Sequence, residues 1–427
     1  MNVHIYPSVQ EWPALLSRPK QDPTQLHAAV EGILERVRRE GDDAVREYER
    51  TFDKADLSSL CVSDEEMAAA HEQVDDELRH ALELAHENIR RFHEAQRFAG
   101  RRVETQPGIV CWQKAVPIER VGLYVPGGRA PLFSTVLMLA TPAVIAGCKD
   151  IVLCSPPNAA GELHPAIIEA ARIAGVRRLF KCGGVQAIGA MAYGTESIPR
   201  VDKIFGPGNQ YVTAAKQIVS MQGTAIDMPA GPSEVCVVAD RTSNPQFVAA
   251  DLLSQAEHGP DSQALLICTD EGTLRRVLAE VDAQLSPLPR RDIAAQSLAA
   301  SHAVLVHNAQ EAVDLANAYA PEHLILAVDS YETLADQVVN AGSVFLGHYA
   351  CESAGDYASG TNHTLPTNGY ARAYSGVSLD SFIRKITFQH ITPEGIRRIG
   401  HAVERMAENE QLQAHRNAMT VRIESIR

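Results

Sequence analysis

Apolar residues recur at helical spacing near the start of the chain and in short runs further on. Val30, Ile33, Leu34 and Val37 follow the i, i+3, i+4, i+7 spacing of an amphipathic helix. A second long helix is predicted over 65–96, so the opening of the chain is expected to be mostly helical. From residue 120 onward, short apolar runs alternate with helical segments, and this alternation favours a parallel α/β sheet.

The short apolar runs fall into two series with helical segments between the strands. The first series comprises predicted strands at 121–125, 151–154, 178–181 and 203–205, and the second comprises 234–239, 264–269, 303–306, 323–327 and 343–346. We therefore predict an α/β fold with two incomplete, Rossmann-like parallel-sheet lobes, N-terminal helices and a small C-terminal helical tail. The tail is predicted as helices at 393–407 and 410–422. Before it, a long polar segment at 349–374 is expected to be a functional or disordered loop.

Composition and charge narrow the class of protein. The chain has 427 residues, of which 45% are hydrophobic and 22% charged, and a formal net charge of -14; this profile is typical of soluble proteins with more than one core. No basic stripe stands out, so nucleic acid is not an expected partner. The most apolar stretch, 131–148, contains several polar residues and a proline and is short for a membrane span, so a membrane is not an expected partner either.

The cysteines and the first residues indicate a cellular compartment. The eight cysteines are scattered without CxxC spacing, and several lie in apolar runs. They are expected to be buried free thiols in a reducing compartment. The first residues lack the charged region and apolar run of a signal peptide. Both observations predict a cytoplasmic protein.

Four side chains could bind a metal ion, although each alone is a weak signal. Gln255 and His258 are three residues apart at a predicted helix end, so they share a face. Asp356 lies among glycines in the long polar segment, and His415 lies in the last predicted helix. Two imidazoles with oxygen donors suit zinc. Each residue also has an ordinary structural explanation, such as a solvated helix position or an aspartate that bonds its own loop.

Glu322 and His323 are the acid–base candidates, because they lie between a predicted helix and a strand, where both can reach a cleft. A neutral imidazole can accept a hydroxyl proton, and a neighbouring carboxylate can activate water. An ion pair at a strand edge is the structural alternative for the same two residues.

The sequence contains no GxGxxG motif after a strand, so spacing alone does not predict a dinucleotide. Two glycine turns follow predicted strands, at 124–128 and at 206–209. The second leads into a helix, whose first backbone N–H groups could face a phosphate. Ordinary turn formation explains both segments equally well.

Several longer segments together resemble the histidinol dehydrogenase family, and they occur in that family's order over nearly the whole chain. These segments are 121–128 (VGLYVPGG), 203–209 (KIFGPGN), 226–234 (IDMPAGPSE), 251–262, 321–324 (PEHL) and 352–366 (ESAGDYASGTNHTLP), with Glu410 and Ala414–His415 in the last helix.

The resemblance implies a role for each matching position. It implies that zinc, one ion per subunit, is held by Gln255, His258, Asp356 and His415, and that the acid–base pair is Glu322 and His323. It implies substrate contacts from Ser233, Gln255, His258, His323, Asp356, Glu410 and His415, and NAD contacts from Tyr124, Gln186 and Asn209. None of these positions departs from the family's pattern.

The resemblance also implies an activity and an assembly. The activity is zinc-dependent oxidation of L-histidinol through bound L-histidinaldehyde to L-histidine, with reduction of two NAD, the last step of histidine biosynthesis. An intertwined homodimer would bring Glu410 and His415 into the site of the other copy. The implied domains are an N-terminal segment at 1–23, a catalytic and metal lobe at 24–119 with 234–376, an NAD lobe at 120–233 and a helical tail at 377–427.

Three alternatives stay open at this point. A relative on the same scaffold could oxidise another polyol, such as a sulfonated propanediol, although Glu410 and His415 favour an imidazole-bearing substrate. A zinc hydrolase could use Glu322 as its base and would turn over without NAD. A non-catalytic protein with two α/β lobes would lose no function when zinc is removed.

Overall fold

The computed structural model describes residues 1–18, 23–127, 131–229 and 231–426. Gly128, in the first glycine turn, lies outside the described residues. The strands are β1 Asn2–Ile5, β2 Val103–Gln106, β3 Ile109–Pro117, β4 Arg120–Tyr124, β5 Asp150–Ser155, β6 Arg178–Lys181, β7 Lys203–Phe205, β8 Ala225–Ile226, β9 Glu234–Ala239, β10 Gln263–Cys268, β11 His302–Leu305, β12 His323–Ala327, β13 Ser343–Leu346 and β14 Ile383–Ile391.

The helices lie between these strands and at both ends of the chain. They are α1 Trp12–Leu15, α2 Pro23–Glu40, α3 Asp42–Tyr48, α4 Asp64–Gln73, α5 Asp76–Glu94, α6 Phe133–Ala146, α7 Pro165–Ile173, α8 Gly184–Tyr193, α9 Gln210–Met221, α10 Pro245–Ala256, α11 Glu271–Leu285, α12 Arg291–Ala299, α13 Ala309–Tyr319, α14 Tyr331–Ala335, α15 Glu352–Tyr357, α16 Pro393–Asn409 and α17 Gln413–Ser425. Short helical turns occur at Glu49–Asp53, Tyr370–Arg372 and Leu379–Phe382.

Two parallel sheets confirm the predicted fold class. The larger sheet has six strands in the order β1-β11-β10-β9-β12-β13, and the smaller has five in the order β6-β5-β4-β7-β8. All neighbouring strands in both sheets are parallel. Apart from β1 at the edge of the larger sheet, in each sheet the chain adds strands in one direction from a central strand and then returns to add strands on the other side. The order reverses between β9 and β12 in the larger sheet, and between β4 and β7 in the smaller.

Helices cover both faces of the larger sheet, which explains its continuous apolar runs. Every residue of β9, β10 and β12 is buried. Val235 and Val237 pack with α10, α11 and α12 on one face, whereas Cys236 and Val238 pack with α13 and α14 on the other. A strand that is buried on both faces has no polar side to alternate with its apolar side.

The N-terminal helices pack against the smaller sheet. Val30, Leu34 and Val37 of α2 lie in one apolar cluster with residues of α8, α9 and β5. The sequence prediction grouped 24–119 with 234–376, but α2 and α3 bury their apolar residues in this other cluster. Hydrophobic spacing identifies which face of a helix is buried and does not identify the surface that covers it.

Two predicted elements differ from the structure. The single helix predicted over 65–96 is wrong, because Val74 is extended and Asp75 starts a new helix by accepting a hydrogen bond from the backbone N–H of Leu78. The polar segment at 349–374 was expected to be a loop, but it contains the six-residue helix α15. That helix is too short for its apolar spacing to be recognised.

The chain forms two compact units, 1–96 with 119–382, and 97–118 with 383–427. In the second unit, β14, β3 and β2 form an antiparallel sheet, followed by α16 and α17. The predicted helical tail therefore also contains a strand. Trp112 of β3 stacks on Phe388 of β14, with ring centroids 5.4 Å apart. Seven of the nine residues of β14 are exposed, so the strand lacks the alternation on which its prediction would depend.

Two further predictions concern the thiols and the membrane. No disulfide forms among the described cysteines; five of them are buried, Cys111 and Cys351 are half-buried and Cys61 is exposed, so burial was predicted correctly for five of the eight. Within the described ranges, no helix has the length and apolar character needed to cross a membrane.

Candidate metal centre and active site

The acid–base candidates lie at the amino end of β12 in the larger sheet, next to the amino end of β9. Strand β12 begins at His323, and its neighbour β9 begins at Glu234. The backbone N–H of Glu234 donates to Glu322 Oε2 at 2.9 Å, and the carbonyl of Glu234 lies 3.3 Å from His323 Nδ1. The two peptide groups on either side of the Glu234 Cα therefore each contact one candidate. With Nδ1 donating to that carbonyl, Nε2 of His323 is left as the acceptor nitrogen.

Helix α15 brings two carboxylates to the same place. Glu352 and Asp356 are one turn apart, so they share a face of the helix. Glu352 Oε1 lies 3.8 Å from His323 Nδ1, and Asp356 Oδ1 lies 3.5 Å from His323 Nε2. Gly355 allows the helix to approach the sheet, since a Cβ atom there would lie 2.6 Å from Cε1 of Phe345.

The end of α10 supplies an amide and a second imidazole. Gln255 lies in the last turn of the helix and is fully buried, and His258 follows two residues after the helix ends. His258 Nε2 is 4.0 Å from Glu352 Oε1. One ligand atom each from His258, Glu352 and Asp356 lie within 4.8 Å of one another, a spacing that can hold a metal ion.

Buried polar atoms at this site lack hydrogen-bond partners among the described residues. They are both amide atoms of Gln255, Nε2 of His323, Oε2 of Glu352 and Oδ1 of Asp356. A buried polar atom without a partner costs about 1–3 kcal/mol. Most of the unpartnered atoms can act as electron-pair donors, so a cation would satisfy several at once. The imidazole, carboxylate and amide set fits zinc.

Burial and mutual proximity shift the pKa values of these groups. Burial raises the pKa of Glu322 to about 7 and that of Glu352 to about 8. Burial acts to lower the pKa of His323, but the carboxylates of Glu352, Glu322 and Asp356 outweigh it and raise that pKa to about 10. Excess negative charge around one imidazole is what a bound cation would neutralise.

The structure brings together most of the residues predicted for this site. Glu322, His323, His258 and Asp356 lie close together around Glu352. Gln255 is buried in the last turn of α10, three residues before His258, and Ser233 directly precedes β9. Glu410 and His415 belong to the second unit, where both are exposed, Glu410 at the end of α16 and His415 in α17.

Sequence reasoning missed Glu352 and Glu234 as members of the site. Glu352 is four residues before Asp356, and this helical spacing would have indicated it had α15 been recognised. Glu234 contacts the candidates through its backbone, and no side-chain pattern reveals a backbone contact.

The predicted NAD residues lie in the smaller sheet. Tyr124 ends β4, and the turn before Asn209 follows β7, at the carboxyl ends of the two strands between which the strand order reverses. In open α/β sheets, ligands bind in the crevice at this reversal. Gly206 has φ +131°, and a Cβ atom there would lie 2.0 Å from the carbonyl oxygen of Tyr124, so only glycine fits.

Hydrogen bonds orient the other groups near the end of β4. The hydroxyl of Tyr124 accepts from the backbone N–H of Gly184, and Gln186 Nε2 donates to Glu49 Oε1 at 2.8 Å. Gln186 Oε1 has no partner among the described residues. Asn209 caps α9 by accepting from the N–H groups of the first turn. Burial raises the pKa of Glu49 to about 7.

The fold and these two sheet edges define the class: a protein of two parallel α/β sheets, with one candidate cation centre and one candidate nucleotide-binding edge. A family model described as histidinol dehydrogenase matches residues 16–423. Histidinol dehydrogenases from Bacteroides thetaiotaomicron and Bacteroides fragilis are 63% and 64% identical to the chain, each over 100% of both chains. The crystal structure of histidinol dehydrogenase from Elizabethkingia anophelis superposes with a TM-score of 0.98 at 54% identity, covering 100% of this chain and 98% of that one.

The chain belongs to the histidinol dehydrogenase family. The match confirms the family predicted from the sequence and the predicted class of enzyme, a dehydrogenase.

Proposed function

We propose that the chain oxidises L-histidinol through bound L-histidinaldehyde to L-histidine and reduces two NAD for each histidinol, the last step of histidine biosynthesis. The observation that carries this proposal is the buried cluster at the amino ends of β9 and β12. There a histidine with an available Nε2 lies beside carboxylates and an amide whose atoms lack partners among the described residues.

The metal in this proposal is one zinc ion per subunit. Gln255, His258 and Asp356 would hold it, with His415 supplied by a second copy of the chain as the family resemblance implies. The carboxylate of Glu352 lies within the same group of possible ligands. When bound, zinc would hold and orient the amino and imidazole nitrogens of histidinol as a Lewis acid.

His323 is the proposed general base. Its Nδ1 faces the carbonyl of Glu234 at 3.3 Å, which orients the ring. A bound cation would offset the carboxylates that raise the pKa of His323, so that Nε2 would be unprotonated and able to accept a proton. In the first oxidation Nε2 takes the hydroxyl proton while the hydride on the same carbon leaves to NAD. The product is the aldehyde, which has to stay bound while the cofactor exchanges because free aldehyde is reactive.

Glu322 is the proposed activator of water. One of its oxygens accepts from the N–H of Glu234, which fixes the direction of the carboxylate. Its other oxygen would take a proton from water as the water oxygen bonds to the aldehyde carbon. His323 would return the proton of the first step to the aldehyde oxygen, which gives the neutral hydrate and leaves Nε2 unprotonated again. His323 then accepts the proton of a hydrate hydroxyl as the second hydride leaves to NAD, and the acid L-histidine results.

The two cofactor molecules would bind in turn at the reversal of the smaller sheet. Tyr124, Gln186 and Asn209 are the proposed contacts. Gln186 has a carbonyl oxygen without a partner among the described residues, and Asn209 lies at the N-terminus of α9, where the partial positive charge of the helix favours a phosphate.

The proposed assembly is a homodimer with shared sites. Glu410 would accept a hydrogen bond from the imidazole ring of histidinol in the site of the other copy, next to His415. Replacement of Glu410 by Gln should then raise the KM for histidinol strongly, because one hydrogen-bond acceptor for the ring N–H loses its charge. An unchanged KM would count against this role.

A substrate panel tests the proposed activity. Protein and NAD are incubated with L-histidinol, with an amino alcohol that lacks the imidazole and with a sulfonated propanediol, and NADH is followed by absorbance with and without a chelator. We expect NADH from histidinol alone and its loss on chelation. Activity on the diol alone supports the polyol alternative, and amide hydrolysis without NAD supports a hydrolase.

A further inference from the structure

We propose that Arg18 is a positioning residue for the reaction, which acts through Glu234 on Glu322 and His323. This inference rests on the proposed function. Glu234 is the residue whose backbone N–H bonds Glu322 and whose carbonyl faces His323. Whatever holds Glu234 in place therefore sets the direction of both reactive side chains.

Arg18 binds both carboxylate oxygens of Glu234 and is itself held in place by Tyr319. The guanidinium makes a bidentate ion pair, with Nε on Oε1 and with Nη2 on Oε2 at 2.8 Å. The same Nη2 donates to the carbonyl of Tyr319 at 2.9 Å, and the guanidinium carbon lies 4.2 Å above the Tyr319 ring. The backbone N–H of Asn368 also donates to Glu234 Oε1. A planar guanidinium with two bonds and a stacked face has one orientation, so Glu234 has one orientation too.

Removing the guanidinium leaves a buried carboxylate with one remaining hydrogen bond. The side chain of Glu234 is only 3% exposed, so water cannot replace Arg18 without a shift of the first residue of β9. That shift would move the two peptide groups, on either side of the Glu234 Cα, that contact Glu322 and His323. Small displacements of a base relative to its substrate are costly to the rate, because reacting atoms have to be held in line.

A second ion pair, between Arg79 and Glu169, provides a control for removal of an arginine away from the site. Arg79 is 19% exposed, against 16% for Arg18, and it too pairs with a buried glutamate, Glu169, and donates to backbone carbonyls. Glu169 lies in α7 beside the smaller sheet and touches neither acid–base candidate. Glu169 keeps its contacts with Arg172 and His71 when Arg79 is removed, so this control tests whether loss of a half-buried arginine away from the acid–base pair changes kcat.

The experiment compares Arg18→Ala, Arg18→Lys and Arg79→Ala in the full-length, metal-loaded protein. We expect Arg18→Ala to lower kcat about 10- to 100-fold while the KM for histidinol and the metal content stay within about twofold of wild type. Arg18→Lys keeps the positive charge but loses the bidentate contact, so its kcat should lie between those of Arg18→Ala and the wild type. Arg79→Ala should lower the midpoint of thermal unfolding and leave kcat unchanged.

A crystal structure of Arg18→Lys gives a readout that does not depend on turnover. We expect the bond from the Glu234 N–H to Glu322, the approach of His323 Nδ1 to the Glu234 carbonyl, or both, to be longer than in the wild type. Unchanged geometry at both contacts, or a wild-type kcat in folded Arg18→Ala and Arg18→Lys, overturns the positioning role. If wild-type protein forms no NADH from histidinol, the proposed function fails instead, and the geometry still decides whether Arg18 positions the pair.

Discussion

The two parallel sheets follow the same strand order but place their candidate sites at opposite ends of the strands. In the smaller sheet, the strand order reverses between β4 and β7, and the predicted NAD residues lie at the carboxyl ends. In the larger sheet, the order reverses between β9 and β12, and Glu322, His323 and Glu234 lie at the amino ends. A similar sheet topology therefore does not determine at which end of the strands the candidate site lies.

Helix ends explain why the two edges suit different ligands. Asn209 caps the N-terminus of α9, where the partial positive charge of the helix would favour the phosphates of a nucleotide. Gln255 and His258 lie at the C-terminus of α10, where partial negative charge favours a cation. The smaller sheet thus offers an anion-binding edge and the larger a cation-binding edge.

The largest effect is expected at the amino edge of the larger sheet. Replacing His323 by Asn removes the base that accepts the hydroxyl proton, so kcat should fall about 10³-fold with metal content unchanged. His307 follows β11 at the opposite edge of the same sheet and provides the control. His307→Asn should retain wild-type kcat. Equal losses in both variants would show that the amino edge has no special role.

Removing an uncharged ligand should separate metal binding from the acid–base pair. Gln255→Ala deletes an amide whose atoms have no partner among the described residues, so we expect the affinity for zinc to fall at least about tenfold. The affinity is measured by competition with a chelator, without turnover. Gln246→Ala, at the exposed first turn of the same helix, is the control. An unchanged affinity in Gln255→Ala would remove this residue from the metal site.

At the carboxyl edge of the smaller sheet, the hydroxyl of Tyr124 can be removed without changing the rest of the side chain. Tyr124→Phe removes the oxygen that accepts from the N–H of Gly184, which should raise the KM for NAD about fivefold and leave the KM for histidinol unchanged. Tyr193→Phe, at the far end of α8, is the control and should change neither constant. A rise in the KM for histidinol instead would mean that the two sheets do not divide the ligands between them.

The smallest effect concerns stability beside the cofactor edge. Burial raises the pKa of Glu49 to about 7, above its ordinary value of 4.5, so this group favours the folded state at low pH and loses that contribution as pH rises through about 7. Glu49→Gln keeps an oxygen for Gly183 and Gln186 and has no charge to bury. We expect the variant to be about 2 kcal/mol more stable near pH 8 and nearly unchanged near pH 5. Chemical unfolding at both pH values checks this, and a loss of stability at pH 8 would contradict it.

The sequence predicted the strands better than the contacts around them. Strands β9 and β12 were predicted with the bounds that the structure has, because buried parallel strands are short unbroken apolar runs. The bounds of β13 were also predicted correctly, although half of its residues are exposed. By contrast, β14 was missed, since most of its residues are exposed and give no alternation. The packing partner of α2 was also mispredicted, because an apolar helix face fits more than one surface.

Side-chain members of the candidate site could be predicted from the sequence, whereas the backbone contacts at the site could not. Glu322 and His323 were predicted from their chemistry and position, and Gln255, His258 and Asp356 were weak metal candidates to which the resemblance gave a role. Their meeting at one point depends on a long-range fold that local spacing cannot supply. The residue pattern does not predict the backbone contacts of Glu234 or its ion pair with Arg18.

The most direct test of the account is the number of NADH molecules formed per histidinol consumed, with histidinol limiting and NAD in excess, before and after removal of the metal. The account predicts two NADH with L-histidine as the product, and none once a chelator has removed the ion from the cluster of Gln255, His258 and Asp356. One NADH with free aldehyde released, or the same yield after chelation, would contradict the claim that the amino edge of the larger sheet carries out both oxidations at a metal centre.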